Sequence, residues 1–170
     1  LDTGEERLFS NLDPNRMFVE PGAVINGCPS PERLDTHFAQ AVLRDWNGRA
    51  PILSLHSNAP GYSGDGQGGR GTISLNKIAP GQRGYQGARD PQHPRLRDPD
   101  NLVFIVGPDG QPGPTQSLHI RSMQAAGLNV LYSQIDPLTQ DCSLSDFLSL
   151  RGQSELYFNA EVEEGDFQSA

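Results

Sequence analysis

Three places in this 170-residue chain carry side chains whose type and setting suit chemistry. His56 closes the apolar run Pro51-Ile52-Leu53-Ser54-Leu55, at the point where the chain enters a long glycine-rich stretch. An imidazole at the C-terminal end of a strand stands where open α/β sheets gather their ligands. It can serve there as a metal ligand, or simply pack or cap. Asn15 and Arg16, in Asp13-Pro14-Asn15-Arg16, set a planar cation beside an amide in a turn. The guanidinium fork is shaped to hold a carboxylate in two parallel hydrogen bonds. A plainer reading pairs Arg16 with Asp13 or a helix end. Glu161 stands in an alternating segment between Ala160 and Val162. A carboxylate between apolar neighbours is partly desolvated, which raises its pKa and suits a general base. The acidic residues that follow it, Glu163 and Glu164, fit a solvated face equally well.

The elements that must position these residues read as alternating helices and strands. Ser30-Pro31-Glu32 has the form of a helix start, with Leu34, Phe38, Ala41 and Val42 on one face and Asn47-Gly48 as the stop. Residues 51–57 read as a buried strand, with Ile52, Leu53 and Leu55 in the core. Residues 101–107 and 128–134 read as further strands. A helix between them ends at Gly127, with Leu118, Met123 and Ala126 as core contacts. Ser143 or Ser145 caps a helix that Gly152 stops. Residues 156–163 alternate, with Leu156, Phe158, Ala160 and Val162 on one face and Tyr157, Asn159, Glu161 and Glu163 on the other. Arg7 to Leu12 is strand-like, and "GTISLNKI", residues 71–78, is a possible short strand. The pattern predicts an α/β fold.

Composition limits the functions open to such a fold. Apolar residues make up 35% and charged residues 20%, with 19 glycines and 14 prolines, so long ordered loops should surround a modest scaffold. A formal charge of -8 argues against a nucleic-acid partner, because basic residues supply most of that affinity. No run of about 18 apolar residues offers a membrane span. Gly64-x-Gly66-x-x-Gly69 spells the dinucleotide fingerprint, but without the strand and helix that give it meaning. No lysine follows for a phosphate cradle, and no serine sits in a Gly-x-Ser-x-Gly elbow. Cys28 and Cys142 are too far apart in sequence for a zinc ribbon or a redox pair. Buried thiols and a long-range disulfide both remain open, and the disulfide would point to an exported protein.

Taken in order, the three places resemble the zinc metallocarboxypeptidases of the carboxypeptidase A type, and more closely a bacterial peptidase-like branch of that superfamily. The resemblance rests on "DPNR", "SLHSN", "CSLSDF", "DPDNLVFIV" and "FNAEVEEG", and spans most of the chain. It implies an α/β fold with a mixed central sheet, helices on both faces and long Gly/Pro-rich loops. Residues 1–170 would form one zinc peptidase-like domain. Asn15 and Arg16 would hold a substrate carboxylate, His56 would be a zinc ligand, and Glu161 would be the catalytic base.

The implied activity is zinc-dependent hydrolysis of peptide or amide bonds near a free carboxylate, on cell-wall or other small peptides, in the bacterial periplasm or outside the cell. The chain departs from the family in one respect. None of His37, His56, His93 and His119 begins the His-x-x-Glu motif that supplies two further zinc ligands. A catalytic zinc takes about three protein ligands. The expectation is therefore an N-terminally incomplete domain, consistent with a start at Leu1, or ligands lent by a partner chain. The remaining possibilities are a degenerate site that binds peptide carboxylates without catalysis, and a structural domain in which the motifs coincide by chance.

Overall fold

A computed structural model of the chain describes residues 14–19, 28, 37–58 and 73–163. These residues form an α/β structure with one five-stranded mixed sheet and three helices. The helices are α1 (Phe38–Val42), α2 (Pro114–Ala125) and α3 (Leu144–Leu150). The strands are β1 (Ile52–Asn58), β2 (Gln82–Tyr85), β3 (Leu102–Gly107), β4 (Asn129–Gln134) and β5 (Tyr157–Glu163), in the order β1-β5-β3-β4-β2. β1 runs parallel to β5, and β3 parallel to β4, whereas β3 and β5 are antiparallel. Both strands that carry site residues therefore point their C-terminal ends the same way.

The apolar runs at 102–107 and 129–134 fill the middle of the sheet, and β3 alternates as a strand must. Phe104 and Val106 pack with Leu144, Phe147 and Leu148 of α3. Val103 and Ile105 pack with Ile120 and Met123 of α2. Ser143 caps α3, its hydroxyl accepting the Asp146 N–H. α2 begins with Pro114 after Gly113 and ends before Gly127, whose φ of +84° is the left-handed conformation that closes helices.

Several sequence expectations are corrected here. β1 is not buried throughout: Leu53 and Leu55 are 64% and 76% exposed, because among the described residues β1 pairs with β5 alone and these two leucines alternate to the face opposite Ile52, which packs on the core. In β5 the alternation is as read. Tyr157, Asn159 and Glu161 are buried, and Phe158, Ala160 and Val162 are half-buried. Leu156 belongs to a short 3-10 turn before the strand. Met123 packs as expected, whereas Leu118, Ala126 and Val42 are exposed, and Ile120 and Ala39 are buried instead. Residues 74–77 form a turn closed by an isolated bridge. The strand of that region is β2, which its sequence does not announce. The strand-like Arg7–Leu12, the helix start at Ser30-Pro31 with Leu34, and the 64–69 glycines lie outside the described residues.

Cys28 and Cys142 form a disulfide, with Cα atoms 5.3 Å apart and 114 residues between them in sequence. Of the two readings open from sequence, the bridge is the one observed. The backbone at Cys142 is left-handed (φ 61°), and its carbonyl accepts the Phe18 N–H at 2.9 Å. The segment after Arg16 is thereby tied to the loop that enters α3.

Candidate functional site

The parallel register of β1 and β5 pairs Ser54 with Asn159 and His56 with Glu161. With a period of two, Ser54, His56, Tyr157, Asn159 and Glu161 all share one face. His56 Nδ1 lies 3.5 Å from Glu161 Oε1. Asn159 lies between them, its Nδ2 donating to Glu161 Oε1 at 2.6 Å and standing 3.5 Å from His56 Nδ1. Glu161 is 5% exposed, whereas a third of the His56 side chain is open. The result is a buried carboxylate held by an amide and reached past an imidazole.

Arg16 ends a 3-10 turn, Pro14–Arg16. Its Nη1 donates to the Asn15 carbonyl at 3.2 Å, and its Nη2 lies 3.5 Å from Asp141 Oδ2. The Asn15 side-chain oxygen accepts the Leu144 N–H at 3.4 Å, which joins the turn to the start of α3. Asp13, one partner open to Arg16 from sequence, lies outside the described residues.

Tyr157 links the two groups. Its phenol is held above the ordinary tyrosine range, first by burial. A hydrogen bond from Ser54 opposes that shift, the Glu161 and Asp141 charges add to it, and Arg16 opposes it. Arg16 and Glu161 thus act on the same phenol. Of the sequence-derived positions, His56 and Glu161 meet on one strand face, whereas Asn15 and Arg16 lie on their own turn against Asp141 and the start of α3.

A second layer of polar groups supports Arg16. Asp141 Oδ1 accepts the Ser143 N–H at 2.9 Å, and Asp146 Oδ2 accepts the Asp141 N–H at 2.7 Å. The Ser143 and Ser145 hydroxyls are 2.7 Å apart. Burial, then the neighbouring Asp141 charge, push the Asp146 carboxyl up to about 6. Sequence reasoning missed Tyr157, Asn159, Asp141 and Asp146 as site residues. The first two were within reach, since they precede Glu161 by four and two positions on one strand face. Asp141 and Asp146 carry no local signal.

No group of three His, Cys, Asp or Glu side chains among the described residues is placed to hold a metal ion. His56 turns its Nδ1 toward Glu161 and Asn159, so these residues alone do not make the three-ligand site that catalytic zinc requires. No helix among the described residues is long and apolar enough to cross a membrane. Compared with family models, curated proteins and solved structures, the chain matches none.

Proposed function

We propose that this face binds a peptide or small amide by its free carboxylate and hydrolyses a nearby amide bond, in the manner of a zinc carboxypeptidase-like hydrolase. The observation that carries the reading is the His56–Glu161 pair, in register across two parallel strands, sharing Tyr157's surroundings with Arg16. Arg16 and Asn15 take the carboxylate. Glu161 removes a proton from water as the water oxygen attacks the carbonyl carbon, and passes it to the departing amine as the C–N bond breaks. Asn159 fixes the direction of the Glu161 carboxylate.

The carboxypeptidase-like fold, as one domain over 1–170 with helices on both faces, belongs to the same proposal. It draws support from the packing of α3 and α2 on alternate residues of β3. Zinc enters through His56 only, with the remaining ligands supplied by a segment or chain beyond the described residues. The disulfide favours the periplasm or the cell exterior, where such bonds persist.

Glu161→Gln should abolish hydrolysis of short peptides and leave their binding intact; unchanged turnover would remove Glu161 from the mechanism. Arg16→Ala should weaken free-carboxylate peptides far more than amidated ones. One specific observation favours a second reading, a non-catalytic carboxylate-binding module: the described residues lack a three-ligand metal group. Metal analysis of the purified protein separates the two, with about one zinc per chain expected for the hydrolase and none for the module.

A further inference from the structure

The carboxylate clamp is not a lone cation. Arg16 Nη2 and Asp141 Oδ2 face each other at 3.5 Å, with 35% and 47% of the two side chains exposed. Each is also tied to the framework, Arg16 by Nη1 to the Asn15 carbonyl and Asp141 by Oδ1 from the Ser143 N–H. The disulfide at Cys142 and the Phe18–Cys142 hydrogen bond hold the two strands of chain that carry them. What faces outward is therefore a positive and a negative group at fixed spacing. An exposed ion pair adds little to stability, so opening it to a ligand costs little. The Arg44–Asp45 pair differs, being 79% and 88% exposed on adjacent residues, with no such framework.

A ligand that brings only a carboxylate to Arg16 meets the like charge of Asp141. A ligand whose carboxylate stands one carbon away from an ammonium satisfies both members of the pair at once. We infer that the Arg16–Asp141 pair reads the zwitterionic head of an α-amino acid, carboxylate to Arg16 and ammonium to Asp141. This rests on the carboxylate-binding reading above and names its ligand class. A substrate of this class has its α-nitrogen free, so the amide presented to Glu161 is one made by its side chain.

Two isomers test this directly. Nε-acetyl-lysine has the free head group and a side-chain amide, whereas Nα-acetyl-lysine has the carboxylate without the neighbouring ammonium. Titration calorimetry on the whole chain at neutral pH should show the Nε isomer binding at least about tenfold tighter, the worth of one well-placed charge pair. Asp141→Asn should erase the difference and Asp141→Glu should restore it, so a folding defect in the first variant does not decide the matter. Equal binding of the isomers, or a preference that survives Asp141→Asn, overturns the inference. Glu161-dependent hydrolysis of ordinary C-terminal peptides without a preference for the Nε isomer overturns this inference alone. Preferential binding of the Nε isomer with no hydrolysis of any amide upholds it and overturns the hydrolase reading instead.

Discussion

Beneath α2, the sheet is held by Val103, Ile105, Val130 and Tyr132 against Ile120 and Met123. Buried polar groups in that half serve to tie down loops. Asn129, fully buried, donates to the carbonyls of Leu96, Asp98 and Asn101 and accepts the Gly87 N–H. In the other half, β5 buries Tyr157, Asn159 and Glu161, and α3 buries Ser145, Asp146 and Ser149 among its apolar residues. Here Ser143 contacts Ser145, Asn159 contacts Glu161, and a disulfide fastens the loop that enters α3. A buried carboxylate costs stability unless it is paired and hydrogen-bonded. The half that concentrates such groups is the half suited to chemistry, and it draws on a covalent tie that the other half does without.

The largest test of that contrast is to cut the tie. Closing a loop across 114 residues restricts the unfolded chain by about 4–5 kcal/mol. Cys142→Ser should lower the denaturation midpoint accordingly, and hydrogen exchange should rise first in α3 and β5 rather than beneath α2. A uniform rise over the whole sheet would dissolve the distinction between halves. Next in size is the converse change. Ile120→Ala, at a 2% exposed position under α2, should cost about 2–5 kcal/mol and leave the affinity for carboxylate ligands unchanged. A shift in that affinity would show that the halves are coupled.

Asp146 supplies a test with a pH signature. Its carboxyl is raised from 3.8 to about 6 in the folded chain. Between those values the native state holds the proton more tightly than the unfolded state does, so stability falls as pH rises, and the loss is complete above 6. The full difference is on the order of 3 kcal/mol. Asp146→Asn keeps an oxygen for the Asp141 N–H and removes the titration. Denaturation from pH 4 to 7 should show the variant gaining on the parent protein through that window. Parallel curves would mean that the carboxylate is not confined as its surroundings indicate.

How far the sequence reveals each half follows from the same physics. β3, β4 and α2 announce themselves because continuous apolar runs and a Pro start with a Gly stop are local signals. The capping of α3 by Ser143 is local too. The sidedness of β1 and β5 is not. Alternation places Glu161 with Asn159 and Tyr157, yet which face is covered depends on where α3 and the Arg16 segment dock, and those contacts join residues far apart in sequence. Reading apolar as inward put Leu53 and Leu55 in the core, the reverse of what is found. Cys28 pairing with Cys142, and Arg16 pairing with Asp141, are equally non-local. β2, written Gln82-Arg83-Gly84-Tyr85, has no apolar pattern and is a strand because β4 offers it an edge.

The smallest expected effect lies on the outer surface of β1. Leu55 is 76% exposed, and across the strand pair it neighbours the half-buried Ala160. If that face stays in water, Leu55→Ser removes little buried area and should move stability by no more than about 0.5 kcal/mol. The buried face of the same strand pair should respond differently, because Tyr157→Phe leaves the Ser54 hydroxyl without its partner and removes the group that both Arg16 and Glu161 act upon. A loss above about 1 kcal/mol for Leu55→Ser would mean that something covers the outer surface of β1 in solution, since only burial gives a leucine side chain that much weight. The contrast would then be redrawn, with the site half closed on both faces rather than open on one.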